Sequence, residues 1–229
     1  MITTIKGNIF TTQCQTIVNT INCVGVMGAG IAYECRLRYP IMYERYVELC
    51  KEKKLNIGML WIYKSENKWI MNFPTKYHWK YESKQEYLEK GLQKFLETYK
   101  ERGITSIAFP LLGASNGGIP ENISLQIMKN YLEQCDIDIE IYHYDPLAYD
   151  DLYIRFKTLW NKIPEKELAQ RSNLRIDFVR KVKTAMEDDK IRSLSRLLTV
   201  KGIGDVTLEK SFQFINNYKE NEQNIFNFD

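Results

Sequence analysis

FPLLGASNGGIP, residues 109–120, is the segment that most clearly indicates the architecture of this chain. The apolar residues before Pro110 predict a buried strand, and the glycines that follow predict a loop with an exposed main chain. Because glycine has no Cβ and permits positive φ, a ligand can approach such a loop closely, and its successive N–H groups suit phosphate. A tight turn without a ligand is the alternative interpretation of this stretch by itself.

A second stretch of the same kind is TIVNTINCVGVMGAGIA, residues 16–32. A strand-like run ends near Asn19, glycines follow Asn22, and a helical pattern begins at Ile31. Two such units could place both loops at the carboxyl edge of one sheet, where open α/β folds bind ligands. Neither loop carries the lysine and hydroxyl residue of a nucleotide-binding P-loop, and the first does not fit the dinucleotide fingerprint.

The composition excludes several classes of protein. Hydrophobic residues make up 44% and charged residues 27% of the chain, which is typical of a folded soluble domain. No apolar run reaches the roughly 20 residues of a membrane span, and the N-terminus lacks a signal-peptide pattern. Five cysteines without a C-x-x-C pair, together with two histidines, predict a cytoplasmic protein without a metal site or cofactor.

The order of sequence patterns predicts the architecture. Along residues 1–150 the chain reads strand, strand, helix, hairpin, helix, strand, helix, strand, which predicts an α/β fold in which a mixed sheet lies between helices in three layers. Beyond residue 150 the strand signals fade and helical periodicity dominates, so residues 151–229 are expected to form a helical C-terminal region. Its end, after Asn216, is expected to fray.

The C-terminal region carries two signals of nucleic-acid contact. Residues 171–201 hold nine basic side chains against four acidic ones, which is typical either of a nucleic-acid surface or of a solvated helical face. LLTVKGIGDVTLEKSF, residues 197–212, is similar to a helix-hairpin-helix, in which main-chain amides hold a DNA phosphate. Lys201, Gly202 and Gly204 are the candidate DNA contacts. An ordinary helix–turn–helix corner is the alternative.

Lys76 is the candidate for chemistry. It follows a strand-like segment and Pro74, among the aromatic residues Phe73, Tyr77 and Trp79. A lysine amine is a nucleophile only when neutral, and apolar surroundings favour the neutral form. The local sequence by itself favours a solvated lysine, or a point charge for a phosphate.

Four segments together resemble the macrodomain family. They are KGNIF (6–10), IVNTINCVGVMGAGIA (17–32), NFPTK (72–76) and PLLGASNGGI (110–119), and the resemblance covers about residues 1–150. More narrowly the set resembles the DNA ADP-ribosyl glycohydrolase antitoxins of the DarG type, and more distantly the lysine-dependent terminal ADP-ribose glycohydrolase of animals. The resemblance implies the three-layer fold and an ADP-ribose ligand whose diphosphate lies between the two glycine loops.

The resemblance also implies individual roles. Lys76 would attack the anomeric carbon of the distal ribose, release the base or carboxylate, and form a lysine adduct that water resolves. Asn8 and Ile9 would lie at the adenine, and Asn22 at the distal ribose. The full set of expected ligand contacts is Asn8, Ile9, Asn19, Asn22, Val26, Met27, Gly28, Ala29, Gly30, Ile31, Gly113, Ala114, Ser115, Asn116, Gly117, Gly118, Ile119 and Tyr144.

The second glycine loop departs from the family pattern. It reads Gly113-Ala114-Ser115-Asn116 where Gly-Cys-Gly-Asn is usual, and Pro120-Glu121 stand where Asp-Trp is expected. Gly117 stands where the animal relative has an acidic residue. Phosphate binding through main-chain amides tolerates such changes better than side-chain chemistry does. The C-terminal region is also shorter than in DarG antitoxins, which use theirs to bind the toxin DarT.

The resulting hypothesis is an ADP-ribosyl glycohydrolase that acts on thymine or guanine of single-stranded DNA in DNA repair. Its expected partners are ADP-ribosylated DNA and a DarT-like toxin that it counteracts as the antitoxin. One alternative is an ADP-ribose-binding module without turnover. Another is a hydrolase of ADP-ribosylated protein carboxylates or of free ADP-ribose derivatives.

Overall fold

The computed structural model of the protein describes residues 1–218 and divides the chain into two compact units, Met1–Asp150 and Asp151–Asp229. The expected fraying after Asn216 falls mainly on residues 219–229, which lie outside the described residues. Within residues 1–218, no helix has the length and apolar character needed to cross a membrane.

The first unit alternates strands and helices. Its strands are β1 (Ile2–Gly7), β2 (Thr16–Asn22), β3 (Trp61–Lys64), β4 (Trp69–Lys76), β5 (Ser106–Pro110) and β6 (Asp138–Tyr144). Its helices are α1 (Gly30–Arg38), α2 (Pro40–Lys51), α3 (Gln85–Thr98) and α4 (Glu121–Leu132). Short 3-10 turns span Ile9–Thr11 and Ser115–Gly117.

The six strands form one sheet in the order β1-β6-β5-β2-β4-β3. Only the β3–β4 pair is antiparallel, so the predicted mixed sheet is confirmed. After β2 the chain adds strands on one side of the sheet, and it then returns to place β5 on the other side. The gap between the loops after β2 and β5 is therefore a topological switch point, where open α/β sheets bind ligands.

Apolar cores on both faces of the sheet confirm the three-layer arrangement. One core includes Phe73, Phe95 and Phe109, with residues of α3 and α4, and the other includes Ile17 and Tyr46, with residues of α1 and α2. Because β5 is buried on both faces, its sequence reads as a continuous apolar run rather than as an alternating one. Full burial of each large apolar side chain stabilises the fold by about 1.5–3 kcal/mol.

A register shift occurs at the end of β4. Ile21 of β2 pairs with Pro74, but the next residue, Asn22, pairs with Lys76, so Thr75 is an extra residue on β4. Such a bulge bends its strand and changes the direction of the side chains that follow. The sequence NFPTK therefore does more than end a strand, because it sets the direction in which Lys76 leaves the sheet.

Some element boundaries differ from those that the sequence predicts. The helical spacing of the sequence predicts the second helix over residues 42–54, but α2 begins at Pro40, because proline lacks an N–H and suits the first turn of a helix. That helix ends before Lys53, which has a left-handed φ of 56°. The strand expected to end at Asn19 continues to Asn22, and the Ile9–Thr11 segment is a 3-10 turn.

The second unit is helical, as the sequence predicts. Its elements are α5 (Asp151–Lys162), α6 (Glu165–Ser172), α7 (Ile176–Ala185), a 3-10 helix (Leu194–Thr199) and α8 (Asp205–Asn217). An aromatic cluster holds α5 against α8. The ring centroids of Phe156 and Trp160 lie 4.5 Å apart. The Trp160 ring packs edge-on against the Phe214 ring, with 5.3 Å between their centroids.

Candidate functional site

The candidate site lies at the carboxyl edge of the sheet. The parallel strands β1, β2, β4, β5 and β6 all end at this edge, which brings the segments singled out in the sequence to one rim. The first loop, residues 23–29, follows β2, and the second loop, residues 111–120, follows β5. Lys76 ends β4, which is the other neighbour of β2.

Asn22 shapes the first loop from within. Its Oδ1 accepts hydrogen bonds from the N–H of Val24 at 3.0 Å and of Val26 at 3.4 Å, and its Nδ2 donates to the carbonyl of Val26. The Tyr46 hydroxyl donates to both the carbonyl oxygen and Oδ1 of Asn22, at 2.8 and 3.0 Å. Burial raises the pKa of Tyr46 above its ordinary value, which keeps the phenol a donor. The side chain of Asn22 therefore holds the loop in place, and its contact with the distal ribose stays a prediction.

The first loop leads into an uncapped helix N-terminus. Helix α1 begins at Gly30, whose φ of 57° lies in the left-handed region that favours glycine. No side chain caps this end, and the first turn carries no acidic residue. The first N–H groups of a helix have no partner within the helix, and its dipole is positive there, so this end of α1 suits an anion.

The second loop is shaped by left-handed residues. Gly113 and Gly118 have φ of 66° and 80°, and Ser115, which carries a side chain, has φ of 50°. The carbonyl of Gly113 accepts the N–H of Ile119 at 3.0 Å, which closes the loop on itself. A left-handed backbone at a serine costs conformational energy, and such strain concentrates at functional sites.

The two loops and the candidate lysine meet. A Cβ added at Gly30 would lie 3.1 Å from Nδ2 of Asn116, so the start of α1 touches the second loop. The Lys76 Nζ donates a hydrogen bond to the carbonyl of the same Asn116. Three segments that are far apart in sequence therefore converge on one point at the switch of the sheet.

Lys76 is half-buried, and its aromatic neighbours divide between core and solvent. Phe73 is fully buried under α3, whereas Tyr77 and Trp79 are exposed, so these rings do not enclose the amine. Cys23 lies beside the lysine and donates from Sγ to the carbonyl of Lys76 at 3.5 Å. Burial, and next the neighbouring Cys50, raise the pKa of Cys23 to about 12, so this thiol stays neutral and is no competing nucleophile.

Besides Asn22, four of the predicted ligand residues have buried side chains: Ile9, Asn19, Met27 and Ile119. Asn19 is fully buried and donates from Nδ2 to Oδ1 of Asn72 on β4 at 2.9 Å. Its side chain thus joins two central strands beneath the first loop rather than facing the open edge. Any contact of these four residues with a ligand would involve the main chain or would act through a neighbour.

The far end of the edge carries Asn8 and Tyr144. Asn8 Oδ1 accepts the N–H of Phe10 at 3.0 Å and so caps the turn after β1. Tyr144 ends β6, beside Gly7 of β1, and is 68% exposed. The remaining predicted loop residues, Gly28, Ala29, Ile31 and Ala114, lie on the two loops or at the start of α1. Apart from Asn19, the predicted residues therefore lie along one edge of the sheet, although Asn8 and Tyr144 are separated from Lys76 by several strands.

A buried charge cluster behind the edge was not predicted. The guanidinium of Arg38 lies 2.7 Å from a Glu34 carboxylate oxygen, bonds both carboxylate oxygens of Asp150 at 3.2 Å, and lies 4.2 Å from the centroid of the Phe10 ring. Removing one partner of a buried ion pair typically costs about 3–5 kcal/mol. The i,i+4 spacing of Glu34 and Arg38 was visible in the sequence, but no local signal pointed to Asp150.

The predicted DNA hairpin lies in the second unit. Gly202 has a left-handed φ of 82°, and Gly204 precedes α8 without a side-chain cap. Lys201 is exposed, and the carbonyl of Gly202 lies 3.5 Å from Lys181 Nζ. The element before the turn is a 3-10 helix rather than an α-helix. A positive charge therefore lies beside the glycine turn, as contact with a phosphate would require.

The sequence of this chain is similar to proteins of known family. Residues 18–128 match the family model of the Macro domain. The DNA ADP-ribosyl glycohydrolase of Thermus aquaticus is 36% identical over 151 residues, which are 64% of this chain and 42% of that protein. That of Mycobacterium tuberculosis is 37% identical over 147 residues, 62% of this chain and 42% of that protein. The chain thus spans less than half the length of these curated relatives.

Solved structures of related proteins are also similar to this chain. The macrodomain of Thermus aquaticus DarG is 35% identical with a TM-score of 0.60, and the match covers 62% of this chain and 98% of that one. A structure described as Thermosipho africanus DarTG in complex with ADP-ribose is 34% identical with a TM-score of 0.60, and covers 63% of this chain and 41% of that one.

Proposed function

We infer that this chain, which belongs to the macrodomain family, hydrolyses the bond between ADP-ribose and a base of DNA. The observation that carries the proposal is the convergence of two glycine-rich loops and Lys76 Nζ at Asn116. The relatives named DNA ADP-ribosyl glycohydrolase support the choice of reaction.

In the proposed complex the diphosphate lies on main-chain amides at the start of α1 and in the second loop. These donors and the positive end of the helix dipole compensate its charge without a metal ion. The distal ribose then lies at Lys76. Binding the diphosphate on both sides fixes the sugar relative to the amine, which removes much of the entropic cost of the reaction.

The proposed reaction proceeds in two steps. The neutral amine of Lys76 forms a bond to the anomeric carbon as the bond from that carbon to the base breaks, and the base leaves with the bonding electrons and takes up a proton. Water then adds to the anomeric carbon of the adduct, the carbon–nitrogen bond to lysine breaks, and free ADP-ribose is released. Gly117 supplies no acidic side chain, so we assign no general acid within the second loop.

The proposed biological setting is neutralisation of a DNA-modifying toxin. One relative, from Thermosipho africanus, is named a DNA ADP-ribosyl transferase–DNA ADP-ribosyl glycohydrolase fusion protein and is 34% identical over 157 residues. By analogy we propose that this chain is the antitoxin of a DarT-like transferase. Its substrate would be thymine or guanine of single-stranded DNA that the toxin has modified.

The alternative function is ADP-ribose binding without turnover. It is favoured by one observation, the departure of the second loop from the family pattern at Ala114, Ser115 and Pro120. Main-chain phosphate contacts survive such changes, whereas a reaction needs a precisely placed sugar. Hydrolysis of ADP-ribosylated protein carboxylates is the further alternative, because a carboxylate is a leaving group that the same lysine could displace.

A comparison of substrates tests the proposal. The protein is incubated with a single-stranded oligonucleotide ADP-ribosylated on thymine or guanine, and in parallel with a protein ADP-ribosylated on glutamate. We expect release of ADP-ribose from the oligonucleotide at a rate at least about tenfold higher than from the protein. Binding of ADP-ribose without release from either substrate would favour the non-catalytic module, and the reverse preference would favour the carboxylate hydrolase.

We further propose that the hairpin at residues 200–205 contacts a DNA phosphate. Gly204 offers a clean test, because a Cβ added there meets no atom within 4 Å and its φ of −119° suits any residue. We expect Gly204→Glu to weaken binding of single-stranded DNA about tenfold, since the carboxylate would repel the phosphate. Asn161→Glu, at an exposed position of α5, adds the same charge elsewhere in the unit and serves as the control. Equal affinities of the two variants for DNA would contradict the hairpin contact.

A further inference from the structure

A cluster of exposed aromatic side chains directly follows Lys76. We define the aromatic rim as residues 77–81, whose sequence is Tyr-His-Trp-Lys-Tyr. Tyr77, Trp79 and Tyr81 are 58%, 49% and 68% exposed. Among residues 1–218, the only other aromatic side chains of comparable exposure are Tyr144 and Tyr149. Three of the five most exposed rings thus lie within five residues of the candidate nucleophile.

The rings of the rim stand together outside the core. His78 stacks on Trp79 with ring centroids 5.6 Å apart and planes at 25°, and it meets Tyr81 at 5.5 Å. Lys80 Nζ lies 5.2 Å from the centroid of the Trp79 ring. The backbone turn is closed by the N–H of Tyr81, which donates to the carbonyl of His78 at 3.2 Å. The rim is thus a preformed group of π-surfaces with a cation among them.

Both ends of the rim are attached to the glycine loops. The N–H of Cys23, in the first loop, donates to the carbonyl of Tyr77 at 3.1 Å. Just beyond the rim, the N–H of Ser83 donates to the carbonyl of Gly117, in the second loop, at 2.8 Å. The rim therefore bridges the two loops that we propose to hold the diphosphate, and its position is fixed relative to Lys76.

The charge pattern favours a polyanion as the occupant. Lys76, Lys80 and Lys84 recur at every fourth position through the rim, and Glu82 is the only acidic residue between them. Exposed aromatic rings interleaved with basic side chains are the arrangement that binds single-stranded nucleic acid, because every base offers a π-face and every phosphate a charge. A folded protein partner would need no such succession of cations.

We propose that the aromatic rim is a stacking platform for the bases that flank the ADP-ribosylated nucleotide in single-stranded DNA. This inference rests on the proposed function and adds to it the surface that selects a polynucleotide. When ADP-ribose occupies the loops, the modified base emerges near Lys76, and the neighbouring bases of the strand lie against Trp79 and Tyr81. Lys80 compensates the charge of the adjoining phosphate. These residues position the substrate and take no part in the bond changes.

Kinetics with two substrates test the platform. One substrate is a nine-nucleotide strand with ADP-ribose on its central base, and the other is the ADP-ribosylated mononucleoside, which has no flanking bases. We expect the double variant Trp79→Ala/Tyr81→Ala to raise KM for the strand about tenfold or more with little change in kcat, and to leave the kinetics of the mononucleoside unchanged. The single variant Trp79→Phe, which keeps an aromatic ring, should have a KM for the strand close to that of the wild type.

A matched pair of lysine variants controls for general effects. Lys80 and Lys64 both lie over a tryptophan ring, Lys64 at 3.7 Å from Trp69 where β4 begins, at the opposite edge of the sheet. Lys80→Ala should raise KM for the strand severalfold, and Lys64→Ala should not. Equal effects of the rim variants on both substrates, or none on the strand, would overturn the platform. So would weaker binding of a DarT-like toxin combined with unchanged binding of the strand.

A failure of the proposed enzyme activity can be distinguished from a failure of the stacking platform. If the wild-type protein released ADP-ribose from neither substrate, the proposed enzyme activity would be wrong. The rim would then be judged by fluorescence anisotropy, with the labelled ADP-ribosylated strand and labelled ADP-ribose as probes. Weaker binding of the strand, but not of ADP-ribose, by Trp79→Ala/Tyr81→Ala would support the platform. Equal binding of the strand by variant and wild type would overturn it.

Discussion

Lys76→Ala is expected to lower the rate of ADP-ribose release from modified single-stranded DNA by about a thousandfold or more. The variant removes the amine that we place at the anomeric carbon, whereas the two loops that would hold the diphosphate remain. Lys76 does donate to the carbonyl of Asn116, so a small adjustment of the second loop accompanies the change. The Kd of ADP-ribose should therefore stay within about tenfold of the wild-type value, since one exposed hydrogen bond contributes about 0.5–1.5 kcal/mol and 1.4 kcal/mol is tenfold in Kd.

Two further variants show whether the activity is lost because the nucleophilic amine is missing. Lys76→Arg keeps a positive charge but offers no nucleophilic amine, and it should be as inactive as Lys76→Ala. Lys64→Ala removes an exposed lysine at the opposite edge of the sheet, and should retain wild-type activity. A single-turnover time course on the modified oligonucleotide measures all three. Retained activity in Lys76→Ala or Lys76→Arg would exclude the lysine adduct.

Gly118→Val is expected to weaken ADP-ribose binding about a hundredfold or more. Gly118 has a left-handed φ of 80°, which a β-branched residue adopts only with strain, so the main chain of the second loop should change conformation. An added Cβ would also lie 3.2 Å from the carboxyl carbon of Glu82. Since the proposed phosphate contacts come from main-chain N–H groups, a changed loop removes several contacts at once. Isothermal titration calorimetry with ADP-ribose measures the effect.

Gly58 provides a closely matched control. It has a φ of 84°, and a Cβ added there would lie 3.4 Å from the Cβ of Lys90 on α3, far from the second loop in sequence. Gly58→Val should therefore destabilise the fold by an amount similar to Gly118→Val, about 1–2 kcal/mol, and leave the Kd of ADP-ribose unchanged. Equal losses of affinity in the two variants would indicate a general effect of the strain and would count against the phosphate loop.

The fold was predictable because its signals are local and strong. The β5 run, buried on both faces, reads as continuous apolar sequence, and the glycines after it mark a loop that the structure shows with two left-handed glycines. Helix α3 buries Leu88, Leu92 and Phe95, whose spacing fits one helical face. The order of strands in the sheet depends on long-range pairing, which local periodicity does not encode, and it was not predicted from the sequence.

Parts of the candidate site could not be predicted, because they depend on contacts between distant segments. The Asn22 side chain bonds its own loop and the phenol of Tyr46, which lies on a later helix. The buried Asn19 pairs with Asn72 across the sheet. Neither partner is indicated by a motif. The exposure of Tyr77 and Trp79 could not be read from the sequence either, because aromatic residues beside a strand end are often buried and the direction of the chain here follows a bulge at Thr75.

The most direct measurement is a crystal structure of the protein with ADP-ribose. We expect the diphosphate oxygens to accept hydrogen bonds from main-chain N–H groups both at the start of α1, near Gly30, and in the second loop, near Gly118. The anomeric carbon of the distal ribose should face Lys76 Nζ at about 3–4 Å. A diphosphate bound away from either loop, or a distal ribose whose anomeric carbon faces away from Lys76, would contradict the proposed site.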